Sequence, residues 1–291
     1  MNSHANAGRL PAEAFFLSAA EGKRFCIFHA PHPDKPYLGA LLYVHPFGDE
    51  MNRSRRMAAM QARQFSDAGY GVLLIDLYGC GDSSGDFAEA TWEGWKTDLA
   101  LAKKWLEERI AGPVGLWGLR LGALLALDFA ADFGSAVASE IATLILWKPV
   151  LDGKAFMTQF LRLHLASEML AGETKTTGTR ELREALAAGR TLEIGGYAIT
   201  PALSLAIDAL DAKTLAPIAV PIHWFDIVGD SGSSASPAVI TVAEVWRGQH
   251  ATLDLTTVIG LPFWTTPELS ICPELLHATS DAMHHHSMVP A

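Results

Sequence analysis

The stretch Trp117-Gly118-Leu119-Arg120-Leu121-Gly122 decides how this chain is read. It continues the apolar run Val114-Gly-Leu-Trp117, which reads as a strand, and enters a helical pattern over 120–133. The chain must therefore step sharply from strand to helix between two glycines. The same alternation extends upstream. Ala14-Phe-Phe-Leu17 and Arg24-Phe-Cys-Ile-Phe28 read as an opening hairpin turned at Glu21-Gly22, and Leu38 to Val44 is an apolar run closing on His45-Pro46. Residues 53–68 read as a helix with Met57, Met60 and Phe65 on its apolar side, and Gly71-Val-Leu-Leu-Ile-Asp76 as the next strand. Thr91 to Ile110 carries Trp92, Trp95, Leu99, Ala102 and Leu106 at helical spacing, and Ile141 to Trp147 is a further strand. Strands apolar on both faces, alternating with helices, predict a parallel sheet of right-handed βαβ units.

From Asp152 to about Pro217 the alternation breaks. Helices are expected around Phe156–Leu170, 179–188 and Pro201–Leu210, with a short strand pair near 192–198 and a polar break at 172–178. Strand patterns return at Ile222 to Val228 and Thr252 to Ile259. This pattern predicts a core of residues 1–151 and 218–291 with 152–217 inserted as a mainly helical cap over the carboxyl ends of the strands. The tail from His284 reads as frayed.

Composition narrows the class. The 291 residues are 49% hydrophobic, too apolar for a disordered chain. With 22 basic against 32 acidic residues the net charge is −10, which argues against nucleic acid as a partner. The apolar stretches are interrupted too soon to span a membrane, as Lys148 and Pro149 interrupt Ala142 to Trp147. Cys26, Cys80 and Cys272 are too few and too scattered for a disulfide framework or a thiolate metal site. The N-terminus lacks the apolar block of a secretory signal, so the expected compartment is the cytoplasm. Neither metal nor cofactor is expected; the triple histidine at 284–286 lacks a rigid frame and a further ligand.

Ligands of open parallel sheets bind beyond the carboxyl ends of the strands. Three loops lie there: His45-Pro-Phe-Gly-Asp-Glu50, Asp76-Leu-Tyr-Gly-Cys-Gly-Asp-Ser-Ser-Gly85, and the step at 117–122. Together they resemble the α/β-hydrolase fold, whose nucleophile sits in a Gly-x-Ser-x-Gly elbow. Within that superfamily, the runs His45 to Met57, Ile75 to Asp86 and Trp117 to Leu127 resemble the second type of hydrolase associated with the bacterial exosortase A system. The likeness continues through Trp147-Lys-Pro-Val150, Phe160-Leu-Arg-Leu163, Ala166-Ser-Glu-Met169 and Pro262-Phe-Trp264, nearly the whole chain. It implies a setting beside exosortase and exopolysaccharide genes, but no known reaction.

The sequence departs from the superfamily at its chemical centre. Arg120 stands where the elbow should hold Ser or Cys, and a guanidinium has no lone pair with which to attack a carbonyl. The segment after the last strand, Ile259-Gly-Leu-Pro-Phe-Trp264, has no imidazole. Asp226 and Asp230 could supply an acid, but an acid alone is no triad. What remains is a site for an anion, with the Leu121 and Phe47 amides as donors, Arg120 as fixed charge, and His45, Glu50 and Asp82 around it. The alternative is that Arg120 pairs with Glu50, Asp82 or Asp76 and fills the old site. The expected function is thus a degenerate hydrolase that binds a small anionic ligand or a protein of the exosortase and exopolysaccharide pathway. A rival reading makes Ser83, Ser84 or Cys80 a displaced nucleophile assisted by His45. Arg53, Arg55 and Arg56 read as a solvated helix face.

Overall fold

The computed structural model describes residues 10–110, 112–133, 141–170, 178–217, 220–230, 232–266, 268 and 270–287. The opening hairpin forms as expected, from β1 (Glu13–Ser18) and β2 (Lys23–His29). Next come β3 (Gly39–Val44), α1 (Asp49–Ala68), β4 (Tyr70–Ile75), α2 (Trp92–Arg109), β5 (Val114–Leu119), α3 (Leu121–Phe133) and β6 (Ile141–Trp147). An excursion then carries α4 (Gly153–Leu170), α5 (Thr179–Ala187), the strands β7 (Leu192–Ile194) and β8 (Tyr197–Ile199), and α6 (Pro201–Asp208). The chain closes with β9 (Ile222–Val228), α7 (Pro237–Gly248), β10 (Leu253–Ile259) and α8 (Pro273–Ser287).

Eight strands form one sheet in the order β1-β2-β4-β3-β5-β6-β9-β10. β2 is antiparallel to both its neighbours, and every later pairing is parallel. The unbroken apolar runs of the central strands have a direct cause, since successive side chains leave a strand on opposite faces. Leu42 and Val44 of β3, with Leu144 and Leu146 of β6, join a core with α2 and α3. Leu41, Tyr43, Ile145 and Trp147 join a second core with α1 and α8. In that second core Trp117 lies 5.6 Å from Phe65 and 4.8 Å from Trp147 between ring centres, and the buried Trp147 indole donates to Thr279 Oγ1 at 2.9 Å. Such edge-on aromatic pairs add roughly 0.5–1.5 kcal/mol each beyond the area they bury.

Helices α7 and α8 were not foreseen from the sequence. α7 nonetheless carries a readable start. Ser236 Oγ accepts from Val239 N–H at 3.4 Å, Pro237 takes the first helical position, and Val239, Val242, Ala243 and Trp246 are buried. α8 also corrects the expectation of a frayed tail, because the helix continues through Ser287; residues 288–291 lie outside the described residues.

Between β6 and β9, among the described residues, no segment joins the main sheet; β7 and β8 pair only with each other. The two ends of the excursion are joined. Gly153 N–H donates to Leu210 O at 2.9 Å, and Ala212 N–H to Leu151 O at 2.8 Å. The polar break expected at 172–178 lies, except for Gly178, outside the described residues. No helix among the described residues is long and apolar enough to cross a membrane.

Candidate functional site

The step from β5 to α3 is a sharp elbow. Arg120 has φ 56°, a left-handed conformation that costs a non-glycine residue roughly 1–3 kcal/mol. Backbone bonds hold it there. Arg120 N–H donates to Trp147 O at 3.0 Å, and Arg120 O accepts from Ala123, Leu124 and Val150 N–H at 3.1–3.3 Å. The flanking glycines are a steric necessity. A Cβ on Gly118 would lie 2.4 Å from Ala123 Cα, and one on Gly122 would lie 2.3 Å from the carbonyl oxygens of Val44 and His45. The geometry that presents a nucleophile is therefore intact, and the side chain presented is a cation.

Of the three carboxylates expected near Arg120, the structure brings one. Arg120 Nε lies 3.5 Å from Glu50 Oε1, with both side chains less than a fifth exposed. Helix α1 begins at Asp49, four residues before the start expected from periodicity, and this places Glu50 in its first turn. The pair is a charge contact rather than a good hydrogen bond, since Arg120 Nε and Glu50 Oε2 both lack hydrogen-bond partners among the described residues. Burial pushes the Glu50 carboxyl above its ordinary range, and Arg120 only partly offsets this. On its other side the guanidinium lies over the Trp264 ring, 5.4 Å from its centre. Asp76 instead accepts from Arg55 Nη2 at 2.8 Å and from Asp82 N–H at 3.0 Å, and the Asp82 side chain is exposed. Arg53 likewise donates to Asp49 and to the Thr266 carbonyl. Arg53 and Arg55 stay 34% and 40% exposed at their side chains, so this helix face is partly solvated, and each also bonds a neighbour.

The expected oxyanion donors stand beside the elbow. Among the described residues, neither the Phe47 nor the Leu121 amide has a hydrogen-bond partner. The space at that corner is nevertheless small. A void of about 10 Å³, lined by His45, Phe47, Leu121 and Gly122 among others, has room for about one water. Aromatic rings close it: Phe47 packs edge-on against Phe87, Trp95, Phe156 and Phe160, with centres 5.2–6.2 Å apart. Phe156 and Phe160 come from α4, and Tyr197 of β8 packs on Phe87 at 5.0 Å. The excursion thus covers the loop that follows β3. In the stripe Phe156, Phe160, Leu163 and Met169 the first two pack inward and Leu163 is 59% exposed; the Met169 side chain lies outside the described residues.

The other sequence candidates are engaged in structure. His45 is buried, its Nε2 accepts from Leu77 N–H at 3.2 Å, and its Nδ1 faces Pro46 O at 2.8 Å. That pattern requires a neutral ring protonated on Nδ1, and burial pushes its pKa down accordingly. Ser83 Oγ donates to Asp76 O at 2.5 Å and accepts from Phe25 N–H at 2.8 Å. Ser84 Oγ accepts from Lys23 N–H at 2.9 Å. The two hydroxyls fasten the 79–85 turn to β2, and the structure does not join either one to His45. Cys80 is buried, and desolvation raises its thiol pKa well above the ordinary value, the opposite of an activated thiolate. Asp230 is exposed and closes its own turn through Gly232 N–H and Ser233 Oγ–H.

Asp226 has a partner that sequence reading missed. Lys148, also at positive φ (43°), donates from Nζ to Asp226 Oδ1 at 2.7 Å. Its signal was a lysine directly after strand β6, in Trp147-Lys-Pro-Val150. After β10, Phe263 is wholly buried against Trp147, and Trp264 backs Arg120. Aromatic side chains thus fill the segment in which the α/β-hydrolase fold carries its catalytic histidine.

Residues 28–216 match the X-Pro dipeptidyl-peptidase family (S15 family), a span that includes the elbow and ends before β9. The chain is 33% identical over 112 residues to Protein ABHD12B of Homo sapiens, a stretch that is 38% of this chain and only 29% of that protein. Among solved structures, it resembles a highly thermostable carboxyl esterase from Bacillus coagulans at TM-score 0.66 and 15% identity, over 96% of this chain and 100% of that one. It resembles alpha/beta hydrolase domain-containing protein 10 from mouse at TM-score 0.57 and 15% identity, over 94% and 100%. At these identities the structural likeness establishes the α/β-hydrolase fold.

Proposed function

Because the chain belongs to the X-Pro dipeptidyl-peptidase (S15) family yet carries Arg120 at its elbow, we propose that it binds rather than cleaves. It is a degenerate hydrolase of the bacterial cytoplasm, working in the exosortase A and exopolysaccharide setting that its sequence resemblance implies. Its ligand is a small anion, or an acidic group on a protein of that pathway. Residues 152–217 act as a cap, seating Phe156, Phe160 and Tyr197 over the site. The observation that carries this reading is the fixed cation at an otherwise intact elbow, with the Phe47 and Leu121 amides beside it unpaired among the described residues. Glu50 then plays the part of an internal competitor. Its carboxylate already neutralises Arg120 at 3.5 Å, and an incoming carboxylate, phosphate or sulfate displaces it. His45 shapes the corner, and Asp82 stands on the rim of the neighbouring turn.

The test uses acetate and inorganic phosphate as probes; the void beside the elbow holds about one water, so either ion enters only as Glu50 swings off Arg120. Titration calorimetry should find weak binding by the wild type, about tenfold tighter binding by Glu50→Gln, and none by Arg120→Met. Failure of both wild type and Glu50→Gln to bind either ion overturns the anion reading. Hydrolysis of acyl esters by the wild type, lost in Ser83→Ala, Ser84→Ala or Cys80→Ala, would overturn the non-hydrolysing one.

A further inference from the structure

A larger space lies away from the elbow, between α1 and the outer strands. Helix α1 turns Ala58 and Ala59 toward β2 and β4, which offer Phe25, Ile27 and Leu74. The alanines are too short to reach the sheet, and a cavity of about 250 Å³ remains. Its wall is mostly apolar. An apolar cavity of ~150 Å³ already admits a benzene ring, so this one has room for a short chain or a substituted ring.

Polar groups stand at one end of it. Tyr43 is 4% exposed, and its hydroxyl has no hydrogen-bond partner among the described residues, although Ser54, which donates to Met51 O, lies beside it. Arg55 gives Nη2 to Asp76, and among the described residues its other N–H groups have no partner. Phe25, Ile27, Met51 and Arg55 also line a wider cleft of about 640 Å³ that reaches the Gly79–Asp82 turn and Tyr197. Arg55 therefore stands where the mostly apolar cavity meets the wider, more polar cleft. A second arginine, Arg63, lines the cavity two turns further along α1 and is exposed. Asp76 lines the cavity as well and takes up the charge of Arg55 at 2.8 Å, so the lining carries one net positive charge in a chain whose net charge is −10.

We propose that this cavity binds an amphipathic carboxylate, an acyl or aryl acid, with its apolar body under α1 and its head between Arg55 and the Tyr43 hydroxyl. The cavity and the elbow void are different spaces that share His45 as a wall, and the inference stands whether or not Arg120 binds an anion. An unpaired buried hydroxyl next to a cation is the pattern that a ligand carboxylate completes. The apolar wall alone would hold an alcohol as well as an acid, so the head group is the discriminating feature.

Octanoate and 3-phenylpropionate serve as probes in titration calorimetry, with octan-1-ol as the uncharged control. Wild type should bind one of the acids at least tenfold more tightly than octan-1-ol. Ala59→Phe fills the cavity and should weaken the acid at least tenfold without lowering the melting temperature; Ala59→Leu serves if the larger ring disturbs folding. Tyr43→Phe should weaken it several-fold, while Arg120→Met should leave it unchanged. Octanoate preferred over 3-phenylpropionate identifies a chain, and the reverse a ring. Binding of neither acid, equal binding of octan-1-ol, or binding indifferent to filling at Ala59 would overturn the proposal. Loss of binding in Arg120→Met would overturn it too, by moving the probe to the elbow.

Discussion

Lys148 reaches from the end of β6 to Asp226 on β9, with Nζ and Oδ1 2.7 Å apart. Asp226 is 1% exposed at its side chain and Lys148 27%. The carboxylate nearest to a triad acid is therefore neutralised by a lysine, and its second oxygen has no hydrogen-bond partner among the described residues. Removing the cation strands a buried charge. Lys148→Met is expected to lower stability by about 3–5 kcal/mol in denaturant titration, and adding Asp226→Asn should recover most of the loss. A single variant with an unchanged midpoint would show that the pair does not support the fold.

The pair of Arg120 and Glu50 predicts a loss that depends on pH. Burial holds the Glu50 carboxyl above its ordinary pKa of 4.5. The folded state therefore keeps this proton to higher pH than the unfolded state does. Stability falls as pH rises through that window, and Arg120 limits the fall by favouring the carboxylate. At pH 4 the carboxyl is largely neutral and Arg120→Ala should cost little. At pH 8 it should cost about 1–3 kcal/mol, because a partly buried carboxylate is left alone. In a Glu50→Gln background the pH dependence of the Arg120→Ala cost should vanish. A cost equal at both pH values would dissociate Arg120 from Glu50.

His45 makes the opposite prediction in sign. Its ring is buried and neutral between Leu77 N–H and Pro46 O, and its pKa lies below the ordinary 6.5. Below about pH 6.5 the unfolded chain takes up a proton that the folded ring refuses, so this residue's contribution falls as pH falls. The stability gap between wild type and His45→Gln should narrow from pH 8 to pH 5, measured by denaturant titration at both. A gap that widens toward pH 5 would mean the imidazole is charged in the fold.

The central strands were legible because burial on both faces leaves an unbroken apolar signature, and the edge hairpin because its turn is marked by a glycine. The site was legible only in its residues, not in their partners. Ser83 and Ser84 read as candidate nucleophiles in the sequence, yet their partners Phe25 and Lys23 lie 58 and 61 residues away. Lys148 and Asp226 are 78 residues apart and meet only because β6 and β9 are neighbours in the sheet. Which carboxylate would meet Arg120 turned on where α1 begins. Periodicity starts the helix at the first apolar repeat, whereas the chain starts it at Asp49, with Asp49 and Glu50 favouring the positive end of the helix. Arg120 itself was plain in the sequence; its backing by Trp264 required the fold.

The final prediction is that serine-hydrolase chemistry is absent and that a single substitution does not restore it. A fluorophosphonate probe should leave the wild type unlabelled, because the elbow offers it no hydroxyl. Arg120→Ser restores the hydroxyl at a position whose φ of 56° and backbone bonds already suit a nucleophile, but the segment after β10 supplies no histidine to act as its base. Its turnover of short acyl esters should stay near background. Of the two positions open to a new histidine, Phe263 is wholly buried in the core beside Trp147, whereas Trp264 already faces residue 120. Trp264→His is thus the better choice. The acid is the remaining obstacle, since Asp226 is tied to Lys148. Arg120→Ser with Trp264→His should show weak turnover, and adding Lys148→Met should raise it by freeing Asp226 to orient the ring. Ester hydrolysis by Arg120→Ser alone, well above background and abolished by Ser back to Ala at that position, would mean that a base already exists near the elbow and that the loss of chemistry rests on Arg120 alone.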